Sequence, residues 1–282
     1  GLVGSEMCIR DSSMTVLFGV LWGIGGLTFG LSMRYLGVAL GQSIALGTCA
    51  ALGTIMGPVL LNVFFPELDA LSTLTAAVVI GVVATLVGIA IIGVAGAMKS
   101  ASLSEEEKKA AVKDFNFPKG IVIALLAGFM SGCFNVGLEF GKDINFGDLT
   151  NPMFHTLPAT LLVTFGGFIT NAVYCFFQNG KNHTWGDYKN GGVWANNLLF
   201  CALAGALWYS QFFGLSLGKG FLTSSPTLMT LSFCILMALN VTFSNVWGII
   251  LKEWKGCSSK TIAVLIAGIL VLIVSCFLPQ LV

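Results

Sequence analysis

The 282-residue chain is 56% hydrophobic and only 10% charged, with a mean hydropathy of +0.89 and a formal net charge of +1. A soluble domain carries about a quarter charged residues, so no aqueous core could hide this much apolar surface and the solvent must be lipid. The net charge says nothing about nucleic acid, and the few basic residues form no patch. Eight cysteines without Cys-x-x-Cys or His/Cys ligand spacing give no sign of a disulfide framework or a metal site.

In chain order, residues 1–13 ("GLVGSEMCIRDSS") fit neither a signal peptide nor a membrane span and read as a translated adaptor sequence outside the fold. Apolar runs then recur near 15–33, 38–61, 74–98, 120–140, 153–177, 195–217, 227–251 and 260–281. Each crosses ~30 Å of hydrocarbon at ~1.5 Å per residue, and closed backbone hydrogen bonding there requires helices. The expected fold class is an all-α polytopic membrane protein with eight transmembrane helices. "RYLG" (34–37) joins the first two spans as a tight hairpin. Between the third and fourth spans, Ser104 and Glu107 form a capping box and Glu105/Lys109 an i,i+4 pair, which predicts a short surface helix. "QNGKNHTWGDYKNGG" (178–192) is polar and shows no regular pattern.

Alternate loops carry very different charge. Arg34, Lys99, Lys108, Lys109, Lys113, Lys119, Lys181, Lys189, Lys252, Lys255 and Lys260 fall on one side; Lys142 and Lys219 fall on the other. The positive-inside rule makes the lysine-rich side cytoplasmic and puts the C-terminus outside. A motif also repeats. "GVLWGIGGLTFGLS" (19–32) and "GALWYSQFFGLS" (205–216) both read Gly-x-Leu-Trp, a spacer, then Phe-Gly-Leu-Ser. The copies lie five spans apart and run in opposite directions, as an inverted repeat of five helices per half demands. Transporters use that architecture to alternate access around a midplane site. On this reading 14–98 is the remainder of the first repeat with three helices, 99–119 a cytoplasmic linker and 120–282 the second repeat, so two helices of a ten-helix unit are not in the chain.

"WGIGGLTFGLSMRYLGVALGQSIALG" (22–47), "WYSQFFGLSLG" (208–218) and "WGIILKEWKG" (247–256) resemble the L-rhamnose–proton symporter family, of the drug/metabolite transporter superfamily. The resemblance runs over most of 15–282, in register with the spans. It implies ten helices in two inverted repeats, the present spans corresponding to helices three to ten. It also implies uptake of L-rhamnose or a related sugar across the bacterial inner membrane, driven by protons and needing no cofactor.

A neutral sugar offers an apolar C–H face and a ring of hydroxyls, so its site needs an aromatic platform and buried amides or carboxylates. Trp22, Trp208 and Tyr209 lie near the middle of their spans; Gln211 is one turn from Trp208, and Asn240 is central in its own span. These five are the candidate substrate-binding residues. Proton coupling needs a group that can titrate, a carboxylate or a histidine. Glu139 shares a helix face with Asn135 and lies ~30 Å from Lys119 at the outer boundary, with His155 at the same level, so these two are the candidates. Arg34, Lys252 and Glu253 read as cytoplasmic anchors, with Trp254 as an interfacial aromatic. Gly19, Gly23, Gly26 and Gly30 form a stripe for helix packing.

The leading expectation is a proton-coupled sugar importer. The alternatives are an exporter or exchanger of another small metabolite and a membrane sugar sensor that does not transport. An enzyme is not expected, since the chain has no His-Glu-x-x-His, Gly-x-Ser-x-Gly or P-loop.

Overall fold

The computed structural model describes residues 2–102, 116–145, 147, 151–189, 191–252 and 254–281. Among them run eight long helices: α1 (Leu2–Leu36), α2 (Val38–Phe64), α3 (Ala76–Ala101), α4 (Phe117–Phe140), α5 (Leu157–Asn182), α6 (Gly191–Phe221), α7 (Pro226–Ile250) and α8 (Ser259–Phe277). Eight helices are long and apolar enough to span a bilayer, matching the eight apolar runs. α1 begins before the expected span, at Leu2. The capping box and the Glu105/Lys109 pair lie outside the described residues. The polar stretch after α5 is not irregular throughout: Thr184–Lys189 forms a 3-10 turn. Trp185 there packs edge-on against Phe176 at 5.2 Å, and Asn179 Nδ2 donates to the Tyr188 hydroxyl at 3.1 Å.

Local chemistry sets the helix ends. α1 passes into α2 through Gly37 alone, at φ 81°, where a side chain would be strained, so the one-residue hairpin needs glycine. Thr75, Asn116 and Ser258 cap α3, α4 and α8 by accepting the N–H groups of Val78, Lys119 and Thr261.

In lipid, helices gain little hydrophobic drive toward one another, and close backbone approach between small residues does the packing. α4 lies against both α1 and α2, and α1 also lies against α5. Gly19 of α1 rests on the Val163 carbonyl of α5, Gly166 of α5 rests on the Val16 carbonyl, and Gly128 of α4 sits on Thr48 of α2. The stripe on α1 is only half used: Gly19 and Gly23 pack on α5, whereas Gly26 and Gly30 meet open space.

α3 pairs along its length with α8 and the 3-10 turn that follows it (Leu278–Gln280), through Gly81 with Pro279, Thr85 with Ser275 at 3.1 Å, Gly88 with Leu272 and Ile92 with Gly268. The contacts climb one helix and descend the other, so the two are antiparallel. The last two are reciprocal: each glycine meets the residue lying one turn beyond the other glycine. α7 packs on α2 and α3. α6 is different. From Trp194 to Leu207 its large apolar side chains are exposed, and it meets the bundle only from Trp208 onward.

Candidate functional site

The site is built where α6 touches the bundle. Trp22 of α1 and Trp208 of α6, the matching tryptophans of the repeated motif, stack on one another with centroids 5.7 Å apart and planes 15° apart. Trp22 is seated by a missing side chain, since a Cβ on Gly167 of α5 would overlap the indole edge at Cζ3 and Cε3. Phe134 of α4 meets Trp22 edge-on at 5.1 Å and stacks on Phe212 of α6 at 4.4 Å. Phe212 in turn meets Trp208 at 4.9 Å, which closes an aromatic ring-to-ring chain from three helices. Tyr209 packs beside Phe212 at 6.3 Å.

Beside this cluster, Asn240 Nδ2 of α7 donates to Gln211 Oε1 of α6 at 3.1 Å. The two amides anticipated as sugar ligands therefore partner each other, which offsets part of the desolvation cost that each would carry alone. Asn135 is buried, at 2% exposure; its Nδ2 donates to the Gly53 carbonyl of α2 at 2.8 Å, while its Oδ1 has no partner.

Toward the lysine-poor end, α6 is fastened again. Thr156 donates to Ser216 at 2.7 Å, both buried. Gly220 lies on the Met153 carbonyl, and Phe213 lies against Phe154 at 4.5 Å. Lys219 Nζ is 3.6 Å from Glu139 Oε1, with the lysine side chain 6% exposed and the glutamate 24%. The stem of Glu139 lies on Gly57 of α2. His155 is half-buried at this end, its Nδ1 3.3 Å from the Pro152 carbonyl, so the ion-pair partner of Glu139 is Lys219 and not His155. The sequence reading treated Lys219 as a loop charge. The apolar run ends at 217, so the sequence carries no mark of it; the structure carries α6 unbroken through Lys219, and an ionisable residue inside a span is a functional candidate by default.

At the opposite end the anchors are exposed. Arg34 and Lys252 both face out, Lys252 at φ 63°, and Glu253 lies outside the described residues. Trp254 is buried at 8% exposure with Lys99 Nζ 4.7 Å above its ring, and Lys119 sits 4.6 Å over Tyr35. These cation–aromatic contacts tie α3 to the segment after α7, and α4 to α1.

Among the described residues, eight apolar helices long enough to span a bilayer, with an aromatic and amide cluster where α6 meets α1, α4 and α7 and a half-buried Lys219–Glu139 ion pair, define a polytopic helical membrane protein of the kind transporters are built from. The chain belongs to the L-rhamnose-proton symport protein family, whose model matches residues 6–281. Relatives named L-rhamnose-proton symporter in Yersinia pestis (strain Pestoides F) and Yersinia pseudotuberculosis (serotype O:1b, strain IP 31758) are each 32% identical over 272 residues, covering 92% of this chain and 75% of the relative. No solved structure matches the chain. The family members are transporters, and the chain is not an enzyme.

Proposed function

We propose that the protein is a secondary active transporter that imports L-rhamnose or a related sugar together with protons across the bacterial inner membrane, with its C-terminus outside. We propose further that α1 to α3 and α6 to α8 are related by an inverted repeat. The observation that carries the reading is the Trp22–Trp208 stack: the equivalent residues of an echoed motif meet each other, as residues beside a two-fold axis do. The reciprocal Gly88–Leu272 and Gly268–Ile92 contacts support the same relation.

In this reading the exposed face of Trp208 takes the apolar face of the sugar. Its hydroxyls replace the Asn240–Gln211 hydrogen bond, each amide exchanging one partner for another, so binding leaves neither half-buried amide without a partner. Glu139 and His155 serve the proton at the lysine-poor end.

The test is external pH. De-energised cells expressing the gene are given L-rhamnose. Alkalinisation specific to rhamnose is the expected outcome, and Trp208→Ala should abolish it with the protein still in the membrane. Labelled uptake without a pH change would keep the sugar and reject the proton. Neither signal, with the protein present, would reject sugar import.

A further inference from the structure

Lys219 has no place in that mechanism, yet it is the most buried charged residue among the described residues, at 5% exposure. It sits on the last turn of α6, the helix whose first half is free of the bundle, and its counter-charge belongs to α4. Among the described residues, the other charged groups at this end are engaged elsewhere or exposed. Arg10 and Asp11 of α1 pair with each other at 3.6 Å, and His155 faces the Pro152 carbonyl. Lys142, Asp143, Glu67 and Asp69 are exposed. Lys219 is the one cationic side chain within 4.0 Å of Glu139 among the described residues.

We propose that Lys219 is the positioning residue of proton coupling: it latches α6 to α4 through Glu139, and closure of this end expels the proton that Glu139 has taken up. This rests on the proton-coupled reading. A proton on a Glu139 oxygen neutralises the carboxylate and leaves a buried ammonium with no counter-charge, which is unfavourable unless α6 lifts and Lys219 reaches water. Protonation and the open end therefore favour each other, and the linkage is reciprocal. When the end closes again, the ammonium returns to Glu139 and the proton leaves the carboxylate for water on the inner side. Asn135, one turn further in on the same face of α4, offers that water the unpartnered Oδ1 as an acceptor. The Thr156–Ser216 hydrogen bond, one turn before Lys219, opens and closes with the latch.

The experiment compares wild type with Lys219→Gln, Lys219→Arg and the charge exchange Glu139→Lys/Lys219→Glu in membrane vesicles. An inward gradient of about one pH unit supports about tenfold accumulation of a sugar carried with one proton. Wild type and Lys219→Arg should reach it. Lys219→Gln should equilibrate rhamnose without accumulating it, while rhamnose exchange at equal pH persists. The charge exchange should regain part of the accumulation. Full accumulation by Lys219→Gln would overturn the proposal. So would joint loss of accumulation and exchange in all three variants with protein in the membrane, since that marks a purely structural role.

A second readout does not depend on rhamnose. A cysteine at Ser216 should be protected from a membrane-impermeant maleimide at alkaline pH and labelled at acidic pH, each normalised to unfolded protein at the same pH. Lys219→Gln should label at both. A pH profile unchanged by Lys219→Gln would reject the latch. A Ser216→Cys protein with Lys219 intact that labels as expected but moves no rhamnose would reject the sugar reading and keep the latch.

Discussion

Gln211 and Asn240 are individually unremarkable polar residues in apolar helices, and their meaning comes from being paired. Removing one leaves the other without its partner; removing both leaves nothing to satisfy. Asn240→Leu should therefore cost about 1 kcal/mol of stability, and Gln211→Leu/Asn240→Leu should recover most of it. Unfolding in a denaturing detergent series measures the difference, and a double variant as unstable as the sum of the singles would reject the pairing. Trp22 depends on a residue that contributes no side chain at all. A methyl on Gly167 would overlap the indole, so Gly167→Ala should displace Trp22, cost about 1–3 kcal/mol and lower sugar affinity. The sequence pointed to Trp22, Trp208, Gln211 and Asn240 because polar and aromatic groups at mid-span are conspicuous against an apolar background. It did not point to Gly167 or Lys219. One glycine in a Gly-rich chain carries no mark of what lies opposite, and a lysine near a span end looks like a loop charge until its partner on another helix is known.

The helices themselves were legible because lipid imposes a length and a polarity on anything that crosses it. Their ends were less so. α5 continues to Asn182 through Gln178 and Asn179, since a helix leaving the apolar layer keeps its internal hydrogen bonds whatever its side chains. Packing was legible only in part, as the glycines show. Gly19 and Gly205 hold the same place in the two copies of the motif, yet Gly19 rests on the Val163 backbone and Gly205 has open space. Gly19→Ala should destabilise the protein by about 1–3 kcal/mol, because the atom it meets is a carbonyl that cannot turn aside. Gly205→Ala in this chain should stabilise α6 by up to about 1 kcal/mol through helix propensity alone. Thermal unfolding of the two variants should therefore shift in opposite directions, and equal shifts would show that the contact with Val163 does not govern Gly19. Gly268 resembles Gly19. A Cβ there would lie 2.6 Å from Ile92 Cγ1 but also 3.0 Å from the Ile92 backbone nitrogen, so trimming Ile92 should not rescue Gly268→Ala.

At the scale of the molecule the two ends differ in chemistry as well as in charge. The lysine-rich end uses exposed cations and cations laid over Trp254 and Tyr35, which suit a surface bathed by water and anionic headgroups. The lysine-poor end keeps Lys219 inside and balances it with Glu139. Lys219 is one of two basic residues that the charge count sets against the eleven on the lysine-rich side, too few to oppose their bias. The expected outcome is that both ends of α8 can be assigned independently: Lys260, at its start, faces the cytoplasm, and the residues after Gln280 face the opposite side. A reporter fused after Val282 that is active only outside the cytoplasm should be on, and one that fluoresces only in the cytoplasm should be dark. Adding two or three lysines after Val282 should weaken that orientation, whereas Lys219→Gln should leave it unchanged. A fluorescent C-terminal fusion would reverse every helix in the bundle and place the Glu139–Lys219 pair on the cytoplasmic side, where an inwardly directed proton gradient would act on it last instead of first.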